Sequence, residues 1–373
     1  MPTIRDVADV LEAWAPRGSA QSYDNVGLQV GDAGKSISRG LIALDLTPQV
    51  IEEAKDRAAD LIITHHPVIF NPLSRVVETD SFEALPYRLI RSGIAHYAIH
   101  TNADAAPDGV SFALAEQLGL TKIRFLDRFT GVLRKVVVFV PAEHADQVRE
   151  AMADAGAGWI GEYTACGFGS EGTGYFKPGE GANPFIGDAG GGTERVEEVR
   201  LEMEVPEWSM REVVSAMIEA HPYEEVAYDV YEVKQQHSRS GFGAVGELAQ
   251  PVDLRGFLKN LCAALECDAP RYVGDLGRTV ERVAVCGGSG SSLISAARRA
   301  GADVYVTADV TYHKFFDVLD GRGEPRMALV DAGHYETEWV TEELLLGVLR
   351  KNLPEIEWAR TSLRTSPVNT FIP

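Results

Sequence analysis

Five side chains from three separate stretches have the types and spacing to hold metal ions. In "LIITHHPVIF", residues 61–70, an apolar run ends in two adjacent histidines, His65 and His66. "HTNADAAPDGV" carries Asp104, and "DAGHYETEWV" carries His334 and Glu338. The last two stand four apart at the start of a helical stretch, so they share one helix face, a turn apart. That spacing suits two ligands on one metal centre, or a histidine on one ion with a carboxylate bridging two. Adjacent residues inside a strand point to opposite faces, which would keep His65 and His66 from a common task. At the strand's end, however, the backbone leaves the pleat, and Pro67 imposes an extended or turned geometry there. Two successive imidazoles can then diverge by a few ångströms, each serving a different ion of a pair about 3.5–4 Å apart. Taken singly, each histidine reads as an ordinary buried side chain, and His334–Glu338 as a surface helix pair. Taken together, the three sites point to metal. Imidazole and carboxylate without thiolate suit zinc, iron, manganese or cobalt.

The elements that must position these residues read as a duplication. "RGLIALDLTPQVIEEAKDRAADLIITHH" and "ERVAVCGGSGSSLISAARRAGADVYVTAD" each run apolar strand, loop, Ala-rich helix, Ala-Asp, then a second apolar strand ending in Thr. Ala59-Asp60 matches Ala302-Asp303, and Thr64 matches Thr307. The strands are nearly continuous apolar runs, as expected of parallel strands covered on both faces. A further strand follows each unit, in "GIAHYAIHTNAD" and "RMALVDAGHYETE", which makes those two strand ends equivalent as well. Ligands of open α/β sheets bind beyond the carboxyl ends of the strands, and all five candidate ligands fall there.

Between the copies the pattern changes. Residues 128–234 give strand, helix, strand, a glycine-rich excursion through "GEGANPFIGDAGGGTE", then strand, helix, strand. Two such passes in tandem read as a ferredoxin-like α+β module, inserted between the halves 1–127 and 235–373 of one duplicated α/β domain. "QQHSRSGFGAVGEL" reads as a polar connector back to the main body.

Composition bounds the function classes. Of 373 residues, 45% are hydrophobic and 24% charged, the balance of a soluble globular protein with ample core. A formal net charge of −20 argues against a general electrostatic grip on nucleic acid. No apolar run approaches the ~20 residues that span a bilayer, and the start lacks a signal-peptide pattern. Four cysteines, without a CxxC pair, give neither a zinc knuckle nor a disulfide framework, so a reducing cytoplasm is the expected setting.

The motifs "YDNVGLQVGD", "LDLTPQVIEEA", "THHPVIF", "HTNADAAPDGV", "CGGSGSSL", "ADVYVTAD" and "GHYETE" together resemble the Nif-three-like family, also carried as GTP cyclohydrolase 1 type 2 homologs. The resemblance covers essentially the whole chain. The inserted module, with "HPYEE", resembles the PII-like or CutA-like insert of the longer bacterial members. The resemblance implies a duplicated α/β fold, a site for two divalent metal ions and a ring-shaped homohexamer enclosing a cavity. Carried over residue by residue, it implies that His65 and Asp104 hold one ion, His66 and His334 the other, and Glu338 bridges them. One departure is Ala308-Asp309, where relatives often read Gly-Asp; the implied ligands are unaffected.

Secondary signals lie beside the site. "VAVCGGSGSSLI" lacks the third glycine of a dinucleotide fingerprint and the lysine of a P-loop, leaving a possible anion cradle at the amides of Ser289, Gly290 and Ser291. Asp45 is placed for an outer acceptor or a general base, and His100 and His313 for proton transfer. His221 belongs to a turn of the insert. In helix residues after Glu338, the run "WVTEELLLGVL" carries more apolar groups than one buried stripe requires, so contact with a neighbouring copy is expected. Two readings of function follow: a metal-dependent hydrolase acting on a nucleotide or phosphoester, or a non-catalytic metal-binding assembly with a regulatory or sensing role.

Overall fold

The structure is a computed structural model that describes residues 1–79 and 81–371. It divides into two compact units, one formed by residues 1–127 with 240–373 and the other by residues 128–239.

The first unit is built on two mixed sheets with matching order. In the first sheet, Arg39–Ala43, Leu61–Thr64 and Ala95–Ala98 run parallel, with Glu357–Arg360 parallel on one side and Gly27–Val30 antiparallel on the other. In the second, Thr279–Ser289, Val304–Ala308 and Ala328–Asp331 run parallel, and Arg271–Val273 is the antiparallel edge. The shared order follows from shared local chemistry. Asp60 accepts the amides of Ser38 and Arg39 at 2.9 and 3.3 Å, and Asp303 accepts those of Glu281 and Arg282 at 3.0 and 2.9 Å. Each aspartate thereby ties the entry of its second strand to the entry of its first. The Ala-Asp match in the sequence is thus a matched backbone clamp.

Both sheets are covered on two faces, which is why their strands lack polar alternation. In the first sheet, Ile42, Leu61 and Ile63 pack with Ile4, Val7 and Leu11 of helix Ile4–Trp14 and with Leu345 and Leu349 of helix Val340–Asn352. On the opposite face Leu41 and Ile62 meet Val50 and Ile51 of helix Pro48–Asp56 and Leu89 of helix Leu85–Ser92. In the second sheet, Val283, Val304 and Val306 pack on Phe257 and Leu261 of helix Leu254–Leu265, while Ala284 and Tyr305 meet Ile294 and Ala297 of helix Ile294–Arg299. A four-residue strand buried on every residue, such as Leu61–Thr64, has little freedom at its end. That rigidity is transmitted to the two histidines that follow.

Two local expectations are corrected. The polar connector is instead part of an 18-residue strand, Gln236–Asp253, paired antiparallel to Thr279–Ser289. Its alternation of small and apolar residues (Ala244 and Val245 are fully covered) lets it take an inner sheet position despite its polar start. The stretch after Gly333 is two helices, His334–Glu338 and Val340–Asn352, separated at Trp339. Of the apolar residues of the second helix, Val340, Leu345, Leu346 and Leu349 are buried in the chain's own core, while Leu344 and Val348 stay partly exposed on one face.

The second unit holds strands Leu133–Pro141, Gly167–Phe176, Glu194–Pro206 and Tyr228–Glu232 in an antiparallel sheet. Its spatial order is second, third, first, fourth. Helices Ala145–Asp154 and Met210–Ala220 cover one face, burying Val148, Met152, Val213 and Met217 against Val136, Val138 and Leu201.

Candidate metal centre

Every candidate ligand leaves the C-terminal end of a parallel strand of the first unit, and both halves of the duplication contribute. His65 and His66 follow Leu61–Thr64 directly. The His66 amide donates to Leu44 O at 3.1 Å, so the chain is already out of the pleat. Their rings stand 5.1 Å apart at 51°, and both approach Glu338. Asp104 lies in the short helix Thr101–Ala105 that follows Ala95–Ala98. His334 and Glu338 open and close the equivalent short helix after Ala328–Asp331.

The distances describe one cluster. His65 Nε2 lies 3.8 Å from Glu338 Oε1 and 3.8 Å from Asp104 Oδ1. His66 Nε2 and His334 Nε2 lie 3.0 and 2.9 Å from Glu338 Oε2, and 3.3 Å from each other. Each ring is fixed from behind. His65 Nδ1 is 2.9 Å from the Ile99 carbonyl, His66 Nδ1 2.7 Å from Asp45, and His334 Nδ1 2.7 Å from Asp309. A carbonyl or carboxylate only accepts, so in each ring Nδ1 carries hydrogen and the neutral ring offers its Nε2 lone pair to the centre. Asp45 is held in turn by Thr365 Oγ1 at 2.8 Å. Rings backed in this way are the usual supports of metal-bound imidazoles.

Two buried atoms at the point of convergence, His65 Nε2 and Asp104 Oδ1, have no hydrogen-bond partner, and Glu338 Oε2 beside them meets only the ring nitrogens of His66 and His334. Native interiors seldom leave such atoms unsatisfied, and three acceptors aimed at one place are what a divalent cation relieves. The donor set fits a metal. Ligand atoms of His66, His334 and Glu338 lie within 4.8 Å of one another, as do those of His65, His66 and His100.

The same contacts govern where protons sit in the cluster. Burial opposes charge on His66, but Asp45 and Glu338 outweigh it and raise its pKa to about 10. His334 is raised to about 9, against burial, by Glu338 and Asp309. Glu338 is held well below the carboxylate range by the three histidines despite its burial. Asp104 is pushed up to about 7 by burial and by the Glu338 charge.

The glycines of "CGGSG" make room for this arrangement. Gly288 sits at φ +57°, and a Cβ there would strike Glu338 Oε1. Of the three amides read as an anion cradle, that of Gly290 is already taken, donating to Thr307 Oγ1 at 2.8 Å. His313 is exposed beside Tyr312 in a turn and takes no part in the cluster. In the second unit, His221 fixes its own turn, bonded to the Phe139 carbonyl and the Tyr223 amide.

A family model for Duf34/NIF3 (NGG1p interacting factor 3) matches residues 2–367. The chain belongs to the Duf34/NIF3 family. Relatives named GTP cyclohydrolase 1 type 2 homolog include one from Halalkalibacterium halodurans, 42% identical over 98% of this chain and 98% of its own length. Another, from Bacillus subtilis, is 42% identical over 93% of this chain and 91% of its own. Among solved structures, the Bacillus cereus protein related to NIF3 matches with a TM-score of 0.83 at 39% identity, over 99% of each chain. A Staphylococcus aureus protein matches with 0.76 at 28% identity, again over 99% of each. These matches establish the family and its α/β fold for this chain.

Two supporting carboxylates have no counterpart in the sequence reading. Asp309 backs His334, and Asp24 backs His100 at 2.9 Å while also accepting the Thr101 amide. The duplication holds the signal for one of them: Asp309 follows the Thr307 strand end at the position His66 occupies after Thr64. It also explains His100, since His100-x3-Asp104 repeats the spacing of His334-x3-Glu338.

Two outcomes are expected of this geometry. Because His66 and His334 are raised above their ordinary value, both are protonated near neutrality in the metal-free protein, and a metal must displace those protons. Affinity in chelator competition should therefore climb from about pH 6 to about pH 10 and flatten above; a flat profile would contradict the assignment. Asp45→Ala, which frees the His66 ring, should weaken metal binding by roughly 10–100-fold with the fold retained by circular dichroism.

Proposed function

We propose that the chain is a metal-dependent hydrolase with two divalent ions per chain, acting on a nucleotide or another phosphoester. The observation that carries this reading is the convergence of unpartnered His65 Nε2 and Asp104 Oδ1 on Glu338, beside two further imidazoles pinned through Nδ1. In this reading His65 and Asp104 hold one ion, His66 and His334 hold the other, and Glu338 lies between and serves both. Zinc, iron and manganese all suit the donor set. Two divalent ions would supply an acidified water and charge stabilisation for a phosphoryl or ring carbon–nitrogen centre. The GTP cyclohydrolase name of the relatives agrees with substrates of this class.

The remaining roles fall to the chain itself. A cleft of about 490 Å³ opens on Asp45 and His66, with Phe70, Asn71 and Arg75 in its wall. Arg75 is exposed and has no ion pair among the described residues, which leaves its guanidinium for an anionic group. The ring of Phe70 lies 6.3 Å from that of Tyr23, so a flat base has an aromatic surface to rest on. Asp45 orients His66. His100, held through Nδ1 by Asp24, turns its other ring nitrogen toward His65 and His66, where it can take or return a proton.

We also place the family's ring-shaped homohexamer in this reading, with a PII-like or CutA-like role for the inserted unit. No helix among the described residues is long and apolar enough to cross a membrane, and the four cysteines are free thiols, in keeping with a reducing compartment.

A screen of metal-reconstituted protein against nucleotides and phosphoesters tests the catalytic reading, with Glu338→Gln as its control. Turnover that falls at least about a hundredfold in the variant is expected, since one bridging carboxylate serves both ions. Metal bound at full occupancy with no turnover of any substrate would favour the non-catalytic regulatory assembly instead. Light scattering should give a mass near six times the 40.5 kDa chain; a monomer would remove the ring.

A further inference from the structure

The inserted unit holds a cavity of about 660 Å³ that the metal centre does not use, a volume within the range of small-molecule sites. Two motifs singled out in the sequence build its walls: the glycine-rich excursion after Phe176, and "HPYEE".

Along strand Glu194–Pro206, Leu201, Met203 and Val205 face the helices. Glu198, Arg200 and Glu202 therefore belong to the opposite, polar face. On that face Glu198 is an exception, with only 9% of its surface exposed. Its Oε1 accepts the Tyr223 hydroxyl at 3.0 Å, and Oε2 presses on the backbone of Gly174, where a Cβ would collide with it. No lysine or arginine forms an ion pair with it among the described residues, and the nearby His221, which feels its charge, is pushed down overall by burial and so offers little counter-charge. A carboxylate buried without a counter-charge is costly, and this one lines the cavity.

Three aromatic rings stand around the same space. Tyr223 lies 5.7 Å from Phe176 at 62° and 6.3 Å from Phe185 at 49°. The rings are inclined to one another and none is stacked face to face; His221 meets Tyr223 at 5.0 Å and His144 meets Phe185 at 5.6 Å, both edgewise. The arrangement is fastened. The Asn183 amide donates to Glu224 at 2.9 Å, joining the glycine-rich loop to the turn, and His221 bonds to the Phe139 carbonyl at 3.0 Å.

Charge decides what the guest is. Arg200 is paired with Glu202, which leaves Lys177 against Glu171, Glu198, Glu224 and Glu225 around the cavity. An anion would meet a carboxylate surplus here, and an uncharged apolar guest would leave Glu198 uncompensated. Aromatic faces with one buried carboxylate are the combination that holds an ammonium group.

We propose that this cavity binds an organic cation, an alkylammonium group seated against Phe176, Phe185 and Tyr223 with Glu198 as its counter-charge. Calorimetric titration of the full chain with choline, and with its uncharged tert-butyl analogue, tests this. Choline should bind, and the analogue at least about tenfold more weakly, because it has the shape without the charge. Glu198→Gln should weaken choline by about tenfold or more. Phe185→Ala, at an exposed position where truncation spares the fold, should weaken it by about threefold or more. Equal binding of the two probes, choline binding indifferent to both substitutions, preferential binding of inorganic phosphate, or no choline binding at all would each overturn the proposal.

Discussion

Lone pairs facing lone pairs are the constraint around which the first unit is organised. His65, His66 and His334 are each pinned through Nδ1, so none can turn its Nε2 away, and Glu338 and Asp104 bring carboxylate oxygens to the same point. Crowding acceptors in this way opposes folding unless positive charge joins them. Protons supply it in part, which is why burial fails to lower His66 and His334 and why Glu338 remains ionised under complete burial. Divalent ions would supply it fully. The surrounding frame, with strands buried along their whole length and helices on both faces, holds the ligands against this repulsion.

The duplication accounts for how such a site is assembled. Each half supplies a strand clamped by an aspartate, Asp60 or Asp303, and a later strand that ends in a short helix. The two short helices present the same spacing, His100-x3-Asp104 and His334-x3-Glu338. The halves diverge after the clamped strand. One keeps His65 and His66, whereas the other has Ala308 and Asp309, and Asp309 turns back to support His334. The cluster is thus asymmetric, with three of its five side chains from the first half and the longer carboxylate from the second.

The frame of the first unit was readable because its signals were local and repeated. Continuous apolar runs marked parallel strands, and the Ala-Asp and Thr matches marked the duplication. Placement of His65, His66, Asp104, His334 and Glu338 beyond strand ends followed from that frame. What was hidden depended on contacts distant in sequence. Asp24 lies far along the chain from the histidine it supports, so no spacing rule reaches it, and Asp309 shows only through the match between the two halves. The strand Gln236–Asp253 begins with polar residues that read as a connector, and its pairing with Thr279–Ser289 starts only at Ala244. Likewise the glycine-rich excursion reads only as a loop until Phe185 and the turn at Tyr223 are seen to face each other.

Anomalous scattering from crystals grown with manganese tests the central claim most directly, because it locates ions without relying on turnover. The account predicts two peaks about 3.5–4 Å apart, one within reach of His65 and Asp104, the other within reach of His66 and His334, and both within reach of Glu338. A single peak, or peaks held by other residues while these five keep only their contacts with one another, would contradict it.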